Sequence, residues 1–336
     1  MSITVPSSTR RLSMPRLALD MLRYRVAVMM WLFMLLGAAY HRVDGWPLDE
    51  LLALTVALAA SYIAATTVND ISDEEIDKVN HPLGRGRPLV HGEATTSDLW
   101  CLNVLASLVA LGAGAYVGWR GVAVVVGALV IGYAYSVPPL LLSHRTYLAT
   151  PVLTMAYVVA PYLHGLALAD ALPSTDDVLF ASGLCSLFWG RIVLKDFRDR
   201  AGDSAFGKVT PLLRFGKAAV CGASAVGLLL GGCLLALSLG SWWMAGLVAG
   251  FVTMIALQLL ALSRASTFTR EQVAIGIAAR MGNGMLITLL AWLLVAAEDP
   301  SLASAMGFTG GLSLVYAVAY VALARHPDDV LVGYKG

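Results

Sequence analysis

The sequence predicts an all-α protein, a polytopic bundle of membrane-spanning helices, and three observations carry that reading. Of 336 residues, 58% are apolar and 13% are charged, whereas soluble domains carry roughly 25% charged residues. The apolar residues gather into ten runs, each near the ~20 residues that cross a bilayer as a helix. The basic residues then fall in alternate connections. The expected spans are 24–41, 50–69, 99–118, 121–137, 148–168, 177–195, 217–239, 242–262, 277–297 and 302–324.

The first span is uncharged only from Val26 to Tyr40, so Arg23 and Arg25 are expected to snorkel to the interface. With ten spans both termini share a side. That side receives Arg10, Arg11, Arg16, the 70–98 and 196–216 loops, His144, Arg145, Arg264, Arg270, Arg325 and Lys335. The opposite side receives Arg42 and Arg120 among Asp170, Asp176, Asp177, Glu298 and Asp299. Basic short loops mark the cytoplasm. The reading is therefore an integral protein of the plasma (inner) membrane with both termini cytoplasmic. A net charge of +1 argues against nucleic acid as a partner. Residues 1–20 lack the apolar stretch of a cleavable signal and read as a cytoplasmic arm.

Cys101, Cys185, Cys221 and Cys233 lie in or beside apolar runs and form no CxxC pair, so they read as small core residues. No strand precedes a glycine-rich turn, which excludes a dinucleotide fold. Gly227 and Gly231 suit close helix packing. His164 reads as a hydrogen-bonded structural residue, and Trp242-Trp243 as part of an interfacial belt. Arg280 and Asn283 either face a cavity or satisfy carbonyls at a helix break near Gly282 and Gly284. Tyr62, Tyr133, Tyr157 and Tyr162 are either packing residues or ring faces for a passing cation.

Two acidic clusters stand out because charge is rare. The first, at the end of the second span, contains Asn69, Asp70, Asp73 and Asp77; the second, at the end of the sixth, contains Asp196, Asp199 and Asp203. Both have the spacing DxxDxxxD, and steps of three and four return to one helix face. Four spans separate them, which suggests a pseudo-repeat with facing carboxylate strips. Solvated acidic loops are the competing reading. Matching spacing in a chain of 22 acidic residues favours a shared site. Carboxylate strips repel unless cations join them, and magnesium shares its shell with substrate phosphates. Lys78, Arg85, Arg87, Arg145, Arg191 and Lys208 are the candidate diphosphate ligands. Arg191 sits inside an apolar span, where a charge is costly and usually functional. Asp199, Lys195 and Arg198 are the candidate catalytic residues, because a metal beside arginine and lysine stabilises a departing diphosphate.

At these residues the sequence resembles the UbiA superfamily of intramembrane prenyltransferases. Asn69–Asp77 resembles its NDxxDxxxD motif, and Asp199–Asp203 its second motif, with Gly207-Lys208-Val209-Thr210 similar to the GKxT tail. Arg87-Pro88-Leu89 and Tyr135-Ser136-Val137-Pro138-Pro139 resemble two further family segments. The resemblance implies nine or ten helices around a central cavity with a cytoplasmic cap. It implies a prenyltransferase domain at 21–300, followed by an additional helix and tail at 301–336. It implies two magnesium ions gripping the diphosphate of a polyprenyl donor, an isoprenoid tail in the bilayer-embedded cavity near Tyr62, Tyr135, Tyr157 and Asn283, and a lipophilic or aromatic acceptor, such as a quinone precursor. Three features depart from the family pattern: a tenth span, the missing lysine after YSxPP, where Leu140-Leu141-Leu142-Ser143 stand and only His144-Arg145 can serve as the cation, and Asp196 in place of Asn or no acid. A terpene cyclase on the same fold is the alternative. A transporter or channel is a second alternative, disfavoured because the acids gather at one surface.

Overall fold

The computed structural model describes residues 11–41, 45–81, 86–297 and 301–332. Among them, nine helices are long and apolar enough to cross a membrane, or ten if one bent pair counts as a span. That bent pair is α1 (Met14–Leu22) and α2 (Tyr24–Tyr40), angled at 62°. Arg23 stands between them in the left-handed region, with φ 43°.

The expected arm is thus structured from Met14 onward. Leu17 and Met21 of α1 are buried against Leu99 and Leu102. Withdrawing such leucine-sized surface from water contributes about 1.5–3 kcal/mol per side chain.

Next come α3 (Leu48–Ser72), the short α4 (Glu74–Asn80), α5 (Thr96–Val117) and α6 (Trp119–Ser136). The Thr95 hydroxyl accepts from the Asp98 N–H while Asp98 returns to the Thr95 N–H, closing a capping box at the start of α5. The fifth span is continuous but changes pitch. It consists of α7 (Ala149–Thr154), one π turn (Met155–Val159) and α8 (Ala160–Leu168). Then follow α9 (Thr175–Ile192), α10 (Asp196–Ala205), α11 (Pro211–Leu239) and α12 (Trp242–Arg264). Ser174 and Asp177 repeat the capping box at α9. Gly216, at φ 79°, breaks the helical path early in α11. The chain ends in α13 (Phe268–Ala297), α14 (Leu302–Arg325) and α15 (Pro327–Val332).

The strongest pairings are α3 with α5, and α9 with α11. These are the second–third and sixth–seventh spans, corresponding positions in the expected pseudo-repeat. Small residues permit the second pairing. A Cβ on Gly231 would stand 2.8 Å from the Gly183 carbonyl, and one on Gly227 would meet Trp189. The largest core cluster joins α2 and α7–α13 through Phe33, Phe180, Phe188, Phe197 and Phe251. Helix α14 lies on the outside with only Ala305 and Thr309 buried. It is held where the Trp243 indole donates to Thr309 Oγ1 at 3.0 Å and Gln258 donates to Tyr320 at 2.8 Å.

Several expectations need correction. Trp243 is a half-buried packing residue that anchors α14, and only Trp242 faces outward. Cys101 and Cys233 lie on exposed helix faces, while Cys221 is buried. His164 is fully buried, and neither ring nitrogen has a hydrogen-bond partner among the described residues. Helix α13 does not break at Gly282. Arg280 nevertheless donates to the Gly276 and Val330 carbonyls.

Candidate active site

The two acidic segments follow α3 and α9 and turn towards each other, meeting through α4 and α10. Each span stops and a separate short helix begins: α3 gives way to α4 at Asp73, and α9 to α10 after a 3-10 turn at Val193–Lys195. The expected single strip on one helix is therefore divided. Asn69 and Asp70 belong to α3, Asp73 is the junction, and Asp77 belongs to α4. Helices α4 and α10 pack together. One contact between them is the backbone N–H of Gly202, which donates to Asn80 Oδ1 at 2.6 Å.

The carboxylates are interleaved with cations rather than left to repel. Arg23 donates to Asp70 Oδ1 at 2.5 Å, and Arg87 bonds both Asp70 and, at 3.1 Å, Asp77. Asn69 donates to Asp73 Oδ2 at 3.1 Å. Lys195 stands 3.4 Å from Asp196, and Arg198 3.1 Å from Asp199. His81 approaches Asp199 at 3.6 Å. Lys208 joins the two motifs, with Nζ 3.4 Å from Asp73 and 3.5 Å from Asp203. Six aspartates thus face five permanent cations and one histidine.

Burial sets the electrostatics here. It drives Asp77 up to about 6, against the pull of Arg87 and with help from Asp70 and Asp73. For Lys208, burial acts to lower the value, but Asp73, Tyr135 and Asp203 outweigh it and hold the ammonium above its ordinary range. His144 is lowered by burial and then by Lys208, so it stands close to the same charges.

Other expected ligands are placed elsewhere. Lys78 points outward and pairs with Glu74 and Glu75 at 2.9 and 2.6 Å. Its charge satisfies its own helix because i+3 and i+4 neighbours reach it first. Arg145 is exposed, and its Nε donates to the Leu140 carbonyl at 2.9 Å. Arg191 lies against α13, where Nη2 donates to the Ala279 carbonyl and to Asn283 Oδ1, both at 3.0 Å. Gly282 makes room for it, since a Cβ there would fall 2.2 Å from the guanidinium carbon. Asn283 is consequently a partner of Arg191 and does not line the cavity below. Arg85 lies outside the described residues.

That cavity begins at Arg23 and Asn69 and runs between the spans. Its walls are mainly apolar, with Met30, Leu58, Ile131 and Leu153, and they include Tyr62, Tyr135 and Tyr157. Tyr62 and Tyr157 meet edge to face at 5.9 Å between ring centres. Charge lies at one end and hydrocarbon at the other, the arrangement that suits an anionic head on an apolar tail.

The donor set fits magnesium in kind. Asp70 Oδ2 and both oxygens of Asp203 are buried and accept no hydrogen bond among the described residues. Hard oxygen donors of this type suit an ion that completes its shell with water and phosphate. Among the described residues, no three His, Cys, Asp or Glu side chains converge enough to hold an ion by themselves.

Sequence reasoning missed Arg23, Asn80, His81 and Gly202. Arg23 was assigned to the interface because it opens an apolar run. Asn80 and His81 directly follow the first acidic cluster, and that adjacency was the available signal.

An all-helical membrane bundle with two aspartate motifs over an apolar cavity is the architecture of intramembrane prenyl-transfer proteins. Residues 28–274 match the UbiA prenyltransferase family, and the chain belongs to that family. It is 29% identical over 194 residues to chlorophyll synthase, chloroplastic, of Oryza sativa subsp. japonica, covering 54% of this chain and 50% of the relative. Digeranylgeranylglyceryl phosphate synthase of Pyrococcus horikoshii is 23% identical over 207 residues, covering 60% and 70%. The chain spans about half the length of the chlorophyll synthases it matches. Among solved structures, a UbiA homolog from Archaeoglobus fulgidus bound to DMAPP and Mg2+ superimposes with a TM-score of 0.62 at 17% identity. The match covers 80% of this chain and 99% of that one. A digeranylgeranylglyceryl phosphate synthase structure gives a TM-score of 0.63 at 16% identity, covering 86% and 100%. These likenesses establish the fold.

Proposed function

We propose that this chain is a magnesium-dependent intramembrane prenyltransferase, moving a prenyl group from a polyprenyl diphosphate to a small lipophilic or aromatic acceptor such as a quinone precursor. The observation that carries this reading is the Lys208 bridge. One ammonium lies 3.4 Å from Asp73 and 3.5 Å from Asp203, so both motifs share one charged floor beside a tyrosine-lined apolar cavity. Asn69, Asp70, Asp73, Asp77, Asp196, Asp199 and Asp203 are the oxygen donors for two magnesium ions. Bound magnesium supplies charge neutralisation of the departing diphosphate.

The cations that hold the carboxylates have a second use. Arg87, Lys195, Arg198 and Lys208 are N–H donors whose carboxylate contacts a diphosphate can replace, and donors aimed at developing charge lower the barrier. The bond between the allylic carbon and the diphosphate oxygen breaks, and the diphosphate keeps the electron pair. The acceptor's nucleophile then captures the allylic carbon and loses a proton. Ring faces of Tyr62 and Tyr157 offer attraction to the passing cation. Transfer is favoured over acceptor-free cyclisation by the names of the matched relatives, which include homogentisate phytyltransferase of Synechocystis, 29% identical over 208 residues. The basic residues on the motif side support a plasma-membrane orientation with site and termini cytoplasmic.

The test is product analysis of purified protein with C10 to C20 diphosphates, with and without aromatic acceptors. Prenylated acceptor is expected with magnesium only. Cyclised hydrocarbon formed without acceptor would move the assignment to a cyclase. Full turnover in excess chelator, after verified metal removal, would overturn the metal role.

A further inference from the structure

A second basic recess opens on the motif face, between the end of α6 and the start of α11. It is lined by His144, Arg145, Thr146, Tyr147, Val209 and Arg214, with Leu148 at its edge, and none of these is acidic. Both guanidiniums are held in place. Arg145 donates to the Leu140 carbonyl at 2.9 Å. Arg214 lies over the Tyr147 ring at 5.1 Å and the Phe215 ring at 5.6 Å. Stacking of this kind fixes a planar guanidinium while leaving its edge available to an anion. The Tyr147 and Phe215 rings stand 6.0 Å apart and form the platform.

The rim decides what anion suits the recess. Leu140, Tyr147, Leu148 and Phe215 are each about half exposed or more. A recess for free phosphate has no use for exposed apolar side chains around it. A headgroup with acyl chains does, because arginine takes the phosphate while aromatic and leucine side chains sit at the membrane boundary. The recess also touches the site machinery. The Thr146 hydroxyl donates to the Val209 carbonyl at 2.6 Å, and Val209 follows Lys208, which bridges the two motifs.

We propose that this recess seats the phosphate headgroup of an acidic phospholipid from the leaflet on the motif side, through Arg145 and Arg214. Arg145 is then a lipid ligand rather than a ligand of the donor diphosphate.

The experiment is lipid titration of the full chain in mild detergent, read by thermal unfolding and native mass spectrometry. The probes are phosphatidylglycerol, phosphatidylcholine and inorganic phosphate. Phosphatidylglycerol is expected to stabilise the wild type and to remain bound in the spectrometer, with phosphatidylcholine weaker. In R145Q/R214Q the half-saturating concentration should rise roughly thirtyfold, following two lost charges near a membrane surface. The control R264Q/R325Q removes two exposed charges elsewhere and should shift it little. Both variants keep long side chains, and their lipid-free melting curves report folding separately from binding. Equal shifts in the two double variants would overturn the site in favour of general surface charge. Stabilisation by inorganic phosphate equal to that by the lipid would overturn the headgroup assignment. No stabilisation by phosphatidylglycerol would overturn the site itself. None of these readouts depends on prenyl transfer, so failure here is distinguishable from failure of the catalytic reading.

Discussion

The backbone N–H of Gly202 donates to Asn80 Oδ1 at 2.6 Å, so the second acidic motif is docked on the first by an uncharged contact. A Cβ on Gly202 would stand 2.6 Å from the Ile76 carbonyl and 2.7 Å from the Asn80 side chain. The helices have no room to accept it without separating. The distance between the two carboxylate sets therefore depends on this glycine as well as on the Lys208 bridge.

Gly202→Ala is therefore expected to lower turnover strongly without removing any charged group. Overpacking of a tight contact costs about 1–3 kcal/mol, and misplacement by about 1 Å can cost a hundredfold in rate. Prenyl transfer and thermal stability in detergent check it together. Wild-type turnover in a folded Gly202→Ala protein would show that the docking does not set the site.

Asp73→Ala and Asp199→Ala should each lose roughly a hundredfold or more in rate while the protein still inserts. Asp73 receives Asn69 and Lys208, and Asp199 receives Arg198 and His81. Each therefore anchors one half of the charged floor. Initial rates at saturating donor, alongside a melting curve, separate chemistry from folding. A near wild-type rate in either variant would count against a shared diphosphate site.

The spans were legible because bilayer hydrocarbon demands long apolar helices; most expected runs recur within a few residues, although α13 begins nine residues before the expected 277 and the first run counts as a span only together with α1. The motifs were legible because charge is rare in such a chain. Their neutralisation was not. Arg23 reaches Asp70 only because the chain turns by 62° at a left-handed residue, and no local pattern announces that bend. Arg191 looked functional for its cost in an apolar span. Its partners Ala279 and Asn283 lie 88 and 92 positions away, and Gly282 makes sense only once α13 is laid beside α9. Lys78 failed for the opposite reason, since Glu74 and Glu75 one turn away already satisfy it.

Asp77 gives a pH dependence of definite sign. Burial raises its carboxyl from 3.8 to about 6, so between these values the folded state binds more protons than the unfolded chain. In metal-free protein this contribution is fully favourable below about pH 4 and is lost as pH rises through about 6. Asp77→Asn should therefore raise the metal-free melting temperature at pH 7.5, and the gain should vanish near pH 4.5. The same variant should weaken stabilisation by magnesium with a diphosphate, because it removes an anionic oxygen donor. Melting curves across pH, with and without both ligands, check the two halves. An equal gain at both pH values would show that Asp77 is not the titrating group.

Helices α3 and α9 deliver both motifs to one face, whereas Ser241 begins α12 at the opposite end of the bundle. Basic residues flank both motifs, and such bias marks the cytoplasmic side. Single cysteines at Ser72, Ser204 and Ser241 in a cysteine-free background decide the matter. Ser72 and Ser204 are exposed and Ser241 is half-exposed, and none lies among the paired carboxylates. An impermeant thiol reagent applied to intact cells is expected to label position 241 alone, and positions 72 and 204 only after the membrane is opened. Labelling of 72 and 204 from opposite sides would contradict the contact between α4 and α10. Labelling of both in intact cells, with 241 protected, would keep the site but invert its placement in the membrane.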